Sequence, residues 1–319
     1  MSPDRRFGRV IRDDILRPAC DSLLDILQRP IMISPDTNTT LRLAYSPDAD
    51  DAFMFRAALE GLVDTEGLSF QPVTSDTQNL NDMAERGEID ISAVSVAAYP
   101  HIADRFVMFA HGGSVGMGYG PVIVARGAFP VDELNARLIA TPGARTTAHL
   151  ITRLIAPDAR MTTVPITPYE AIFDAIDACG VGAGIIIHEG RLTYERHGLV
   201  KIVDLGEWWW EQTGLPLPLG ANVIRRSLGP ETIARASRAI QRSIRWALDH
   251  REEMIRFLID HIHRPEEVAT PELLDKYLGM YANEETYSYS PASLQAVQRI
   301  FDLGFERGLL PVKTVAEFV

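Results

Sequence analysis

Gly182-Ala183-Gly184-Ile185-Ile186-Ile187 is an unbroken run of small and β-branched residues followed directly by His188 and Glu189. Such a run reads as a strand covered on both faces. In open α/β sheets, ligands sit outside the carboxyl ends of strands. His188 is thus delivered where chemistry takes place, by the side chain best suited to moving protons near neutral pH. The plain alternative is a histidine that only hydrogen-bonds backbone at a strand end. Glu189 points to the opposite face of an extended segment, so it is a supporting group at most.

Three further segments carry polar groups at strand ends or helix starts. Ser46-Pro47-Asp48-Ala49-Asp50-Asp51 holds three carboxylates in four residues, which suits either a hard cation or a turn with a helix cap. The cap is the commoner use, and nothing else acidic is spaced to complete a metal set, so no metal site is expected. Ser95 closes a buried strand, where its hydroxyl can bond a ligand carboxylate or cap the following turn. Thr146 and Thr147 open a helix after Thr141-Pro142-Gly143-Ala144-Arg145. Free N–H groups and the positive dipole end make that start a carboxylate site as readily as an ordinary cap. Arg145 could add charge assistance.

The glycines of the 112–120 run, Gly118 among them, match neither a phosphate loop nor a dinucleotide fingerprint. They permit close approach of backbone to a ligand, or a hinge. No Gly-x-Ser-x-Gly elbow occurs, so an enzyme here would work by acid–base chemistry rather than through a covalent intermediate. Of Trp208-Trp209-Trp210, only part can face inward at helical spacing, so at least one is expected at the cleft rim or an interface.

The elements that must hold these residues alternate from Leu41 onward. Strands are predicted at 41–45, 68–73, 89–94, 106–110, 121–125, 138–140, 161–165, 183–187, 200–203 and 219–225, with helices between most of them. Asp76 is placed as an N-cap, and 168–178 reads as a helix. From Pro230 the pattern is helical, with Ile233, Ala236, Ile240, Ile244 and Ala247 at helix spacing. Two α/β cycles, a late return and a helical C-terminal tail describe a two-lobed α/β shell with a central cleft. That architecture is similar to the type II periplasmic binding proteins. Lobe 1 is expected from 41–128 and 222–319, lobe 2 from 129–221, with crossings near 126–136 and 218–225 and hinge closure between them.

Composition bounds the partners. The chain has 319 residues, 46% hydrophobic and 23% charged, with a net charge of −12. That balance argues against nucleic acid, and no stretch reaches the roughly 20 apolar residues of a membrane span. Cys20 and Cys179 make no disulfide framework or zinc spacing. Residues 1–40 read as an appended arm whose Val10, Ile11, Ile15, Leu16, Leu23, Leu24 and Leu27 could line a helix face broken at Pro18. The arm has no secretory pattern, so the expected compartment is the cytoplasm.

Several motifs occur together in order: Ser46-Pro47, Asp51-Ala52-Phe53-Met54-Phe55, Gly118-Tyr119-Gly120-Pro121 and Pro142-Gly143-x-x-Thr146-Thr147-Ala148-His149-Leu150. Ile186-Ile187-His188-Glu189-x-Arg191-x-Thr193-Tyr194, Asp204-Leu205-Gly206-x-Trp208 and Thr213-Gly214-Leu215-Pro216-Leu217-Pro218-Leu219-Gly220 complete the set. Over roughly residues 41–310 the chain resembles the 1,4-dihydroxy-6-naphthoate synthase family of the futalosine route to menaquinone. The resemblance implies a two-lobed binding-protein fold without export, and a lyase that converts cyclic dehypoxanthinyl futalosine to 1,4-dihydroxy-6-naphthoate without metal or organic cofactor. It implies His188 as the catalytic base. It also implies Ser46, Ser95, Gly118, Tyr119, Thr146 and Thr147 as contacts to a small anionic aromatic substrate, and leaves a homodimer open. The other readings are a chorismate dehydratase-type enzyme on the same fold and a non-catalytic carboxylate-binding protein. One segment departs from the family pattern. Where the family reads Ser-Pro-Cys-Pro-Asn-Asp-Thr-Phe, this chain has Asp48 and Asp50 in place of the Cys and Asn. Either those carboxylates face away from the cleft, or the substrate differs.

Overall fold

The computed structural model describes residues 39–166, 171–177, 180–261 and 270–319. The expected arm, apart from Thr39 and Thr40, lies outside the described residues, as do both cysteines and the ends of the helix expected at 168–178.

Twelve strands are described: β1 Thr39–Tyr45, β2 Leu68–Thr74, β3 Ile91–Ser95, β4 Phe106–Met108, β5 Val115–Gly116, β6 Val122–Ala125, β7 Leu138–Thr141, β8 Arg160–Thr163, β9 Ala183–Ile186, β10 Val200–Asp204, β11 Leu217–Pro218 and β12 Gly220–Arg225. They form two five-stranded sheets, ordered β2-β1-β3-β12-β4 and β10-β6-β9-β7-β8, plus the small β5–β11 pair. The two large sheets share one plan. Three strands run parallel, β2-β1-β3 in one and β8-β7-β9 in the other. An antiparallel strand then joins, β12 beside β3 and β6 beside β9. Each joining strand follows a crossing from the other sheet.

The first crossing lies between Met108 and Val122, ahead of the 126–136 expected, and β6 belongs to the second sheet. All four β6 residues are buried. An apolar strand of this kind declares that it is central but not which sheet takes it, which is why the pattern misplaced it. The return at Gly220 falls within the range expected.

Burial follows the strand pattern. Leu41, Leu43, Ile91, Val107 and Ile224 pack beneath the helices Ala49–Leu59 and Gly229–Asp249. Within that layer Ser243 Oγ donates to Met54 O at 2.7 Å and accepts from Ala58 N at 3.0 Å, so a buried hydroxyl is satisfied in an apolar contact. Ile233, Ala236, Ile240, Ile244 and Ala247 are buried on one face, as their spacing predicts. Asp76 accepts from Asn79 N and caps Thr77–Arg86. The helix Pro271–Tyr281, in the C-terminal part of the chain, packs against the start of Ala49–Leu59, where Ala49 and Phe53 share a cluster with Leu274, Tyr277 and Leu278. Among the described residues, no helix is long and apolar enough to cross a membrane.

The tryptophan run belongs to the helix Leu205–Thr213. Trp209 is fully buried and its indole N–H donates to Pro216 O at 2.9 Å, while Trp210 is exposed. Gly206, in the first turn of that helix, lies against the backbone of the glycine-rich loop. A Cβ there would sit 2.0 Å from the Tyr119 carbonyl carbon. Exchanging glycine for alanine in a helix normally stabilises by up to about 1 kcal/mol. Here the added methyl must displace backbone, an overpacking that costs about 1–3 kcal/mol. Gly206→Ala is therefore expected to lower the melting temperature, and an unchanged or raised value in thermal denaturation would show that the loop contact is loose.

Candidate active site

The chain leaves the C-terminal ends of β1, β3, β7 and β9 into one cleft of about 740 Å³ of empty space. Ser46, Ser95, Thr146, Thr147 and His188 all line it. Gly118 and Tyr119 do not. Gly118 turns with a φ of +76°, and the Tyr119 hydroxyl donates to Met280 O at 2.7 Å. Tyr119 instead packs edge-on to Tyr281, which is at the cleft wall. It supports the site from behind.

β9 ends at Ile186, and His188 opens a single 3₁₀ turn, His188–Leu192. Its φ is +52°, a left-handed conformation rare for a residue with a Cβ. Such strain costs about 1–3 kcal/mol and collects at functional sites. The turn swings the ring across the cleft, where Nδ1 lies 2.5 Å from Asp48 Oδ2. Nε2 lies 3.4 Å from Thr77 Oγ1. With Nδ1 donating its proton to Asp48, Nε2 is the free base of the ring. Burial acts on the imidazolium first and disfavours it. The charge and hydrogen bond of Asp48, joined by Asp50 and Glu189, outweigh burial and hold the His188 pKa above its ordinary value.

The acidic loop does not behave as a cap. Asp48 stands at the N-cap of Ala49–Leu59, but its side chain makes no cap hydrogen bond. Asp51 Oδ2 instead accepts from Ser46 N at 2.8 Å and ties the loop to itself. Asp50 is buried, with Oδ2 accepting from Ser114 Oγ at 2.7 Å and Oδ1 accepting from the Tyr277 hydroxyl at 3.0 Å. Both Asp48 and Asp50 line the cleft, so the departure from the family pattern is not carboxylates turned away. Burial, and next the Asp48 carboxylate, push the Asp50 pKa up to about 7. Burial followed by the charges of Asp48 and Asp50 lifts Asp51 well above the carboxylate range.

Asp48, Asp50 and His188 hold one ligand-type atom each within 4.8 Å of one another. In this arrangement Asp48 Oδ2 meets His188 Nδ1, and both Asp50 oxygens accept from hydroxyls. The arrangement is that of a hydrogen-bonded proton network, and we assign no metal ligand to it.

The helix Thr147–Ile155 presents its start to the cleft. Thr146 Oγ1 accepts from His149 N at 3.2 Å, a true N-cap. Thr147 Oγ1 donates to Leu219 O at 2.7 Å and accepts from Ala97 N at 3.2 Å. Both hydroxyls thus serve the protein, and a ligand would meet chiefly the backbone donors of the first turn. Ser95 Oγ caps nothing and accepts from Asn81 Nδ2 at 3.2 Å. Arg145 lines no part of the cleft; it pairs with Glu85. Arg191 reaches the wall, where it pairs with the buried Asp204 and donates to Gly120 O at 2.5 Å. Glu189 is buried beneath the turn.

Reading the residues alone missed Thr77, Ser114 and Tyr277. Ser114 sits in the glycine-rich run, where its flanking glycines hid it. Tyr277 comes from the helical tail, and no local signal ties position 277 to position 50.

The chain matches the family model described as menaquinone biosynthesis over residues 41–306. It is 38% identical over 270 residues to a 1,4-dihydroxy-6-naphthoate synthase of Thermus thermophilus, covering 84% of this chain and 95% of that one. It is 36% identical over 280 residues to the enzyme of the same name from Streptomyces coelicolor, covering 85% and 95%. A crystal structure of an Archaeoglobus fulgidus protein superposes with a TM-score of 0.78 at 36% identity, over 85% of this chain and 98% of that one. The alkanesulfonate-binding protein of Xanthomonas axonopodis superposes at 0.63 with 16% identity, over 87% and 96%. That likeness shows the fold alone: the periplasmic-binding-protein architecture expected from the order of strands. With a family match across most of its length and two curated relatives at this identity, the chain belongs to the menaquinone biosynthesis family.

Proposed function

We propose that this protein is a carbon–carbon lyase that converts cyclic dehypoxanthinyl futalosine to 1,4-dihydroxy-6-naphthoate, with His188 as its general base. The observation that carries the reading is the Asp48–His188 contact inside the cleft. A carboxylate at Nδ1 fixes the tautomer and stabilises the imidazolium that forms when Nε2 takes a proton, the logic of an oriented histidine base. The relatives' shared name supplies the product class.

The substrate is a carboxylate-bearing bicycle. The first turn of Thr147–Ile155, near Thr146, Thr147 and Ser95, supports a site for its carboxylate, since these residues line the cleft and backbone N–H groups and the helix dipole there favour an anion. Thr77 is within reach of Nε2 and holds the ring until the substrate replaces that contact. The cytoplasm is the compartment this role assigns.

Incubating the purified protein with cyclic dehypoxanthinyl futalosine should yield dihydroxynaphthoate by liquid chromatography and mass spectrometry. Consumption of chorismate instead would select the dehydratase reading, and ligand-induced stabilisation with no product would select the binding protein. His188→Ala is expected to bind substrate yet lose turnover by about 10² or more, the usual worth of a general base; full turnover in that variant sinks the assignment. Asp48→Asn tests the orienting carboxylate. A base must be unprotonated to work, so turnover falls as pH drops through its pKa. Removing the Asp48 charge removes the largest influence that raises that pKa. The acid limb of the kcat profile should therefore move to lower pH, together with a drop in kcat, and an unmoved limb would count against the pairing.

A further inference from the structure

We propose that Asp50 is the general acid that works beside His188, delivering a proton to the fragment that leaves the breaking bond. The inference rests on the reading of His188 as base and adds the partner that reading lacks. Its ground is geometric. Asp50 lines the cleft, lies within the same 4.8 Å cluster as His188 and Asp48, and is 6% exposed. Its two oxygens are held by Ser114 Oγ and the Tyr277 hydroxyl, from two elements outside its own helix. A carboxyl held in this way points one way only, which is what a directed proton transfer needs.

The groups that face it decide its charge. From its own segment come Asp48 and Asp51; from the His188–Leu192 turn, His188 and Glu189; from Pro271–Tyr281, Tyr277 and Tyr281. Arg191, the arginine that lines the cleft, is committed to Asp204. Negative charge therefore outnumbers positive around Asp50, and burial acts in the same direction. Its pKa of about 7 leaves a usable share of the acid form at neutral pH. Asp51 is the rival, but its Oδ2 accepts from Ser46 N and is committed to its own loop. Asp48 is taken by His188.

The proton count closes. His188 Nε2 removes a proton from the substrate, and the electron pair left behind forms the new π bond as the carbon–carbon bond breaks. The pair of that bond passes to the departing fragment, which takes the Asp50 proton. The imidazolium proton then returns to the Asp50 carboxylate, so both groups are reset and no co-reactant is consumed.

This assignment predicts a bell-shaped profile: turnover needs neutral His188, lost at low pH, and protonated Asp50, lost at high pH. Asp50→Asn keeps the shape but cannot give up a proton. It is expected to lower kcat by about 10²-fold or more with KM changed little, and to abolish the alkaline limb. Tyr277→Phe removes one donor to the ionised form, which raises the Asp50 pKa and moves the alkaline limb to higher pH. Circular dichroism on both variants establishes that they fold, and Tyr277→Phe carries the test should Asp50→Asn not fold. An active His188→Ala overturns the base and the acid together. A dead His188→Ala with wild-type rate and bell in Asp50→Asn, or an alkaline limb unmoved by Tyr277→Phe, overturns the acid alone.

Discussion

The contact between Asp48 and His188 joins the loop after β1, in one sheet, to the turn after β9, in the other. It forms only because two local preferences are overridden. Asp48 stands where a side chain would ordinarily cap its helix, an interaction worth about 1 kcal/mol, and gives no such bond. His188 adopts a left-handed backbone that costs more. Neither departure survives unless the surrounding packing fixes both ends. The buried rows of the two sheets do this, holding the β1 and β9 strand ends in one cleft. A strong hydrogen bond in a desolvated setting is the return on that strain.

A second consequence is a crowd of carboxylates. At an effective dielectric constant of 20, two unit charges about 5 Å apart repel by roughly 3 kcal/mol. Burial acts first on Asp50 and this repulsion adds to it, which carries its pKa up to about 7 against the hydrogen bond from Ser114. The cleft therefore does not hold all its acids as anions. It holds one imidazole and several carboxyls that share fewer protons than they have sites, and their titrations belong to the set rather than to single residues.

How far the residues alone disclose this depends on whether a signal is local. The β9 run and its terminal His188 are local, and so are the Asp76 cap and the apolar face of Gly229–Asp249. These were legible. The joining of β6 to the second sheet is not, since an apolar strand suits the centre of either sheet. The acidic loop misled for the same reason. Asp48 sits where a cap sits, and only the partner 140 residues along the chain draws it away. Gly118 and Tyr119 belong to a motif that resembles a binding loop. In the fold Tyr119 closes on Gly206 and Met280 and shapes the wall from behind, while Ser114 and Pro121 are the parts of that segment that reach the cleft.

The two aspartates are also compatible with an anionic substrate, although like charges repel. A carboxylate entering the cleft adds negative potential at Asp48, Asp50 and His188. Each group responds in the same direction, since added negative charge favours the protonated form of acid and imidazole alike. Substrate binding therefore draws protons toward this set. Protonation of Asp50 removes the repulsion it would offer and produces the form that can act as an acid. The hydroxyls of Ser114 and Tyr277 restrain the shift, because they favour the ionised carboxylate. The opposing influences leave Asp50 near the middle of its titration, where a modest change in field alters its proton occupancy most.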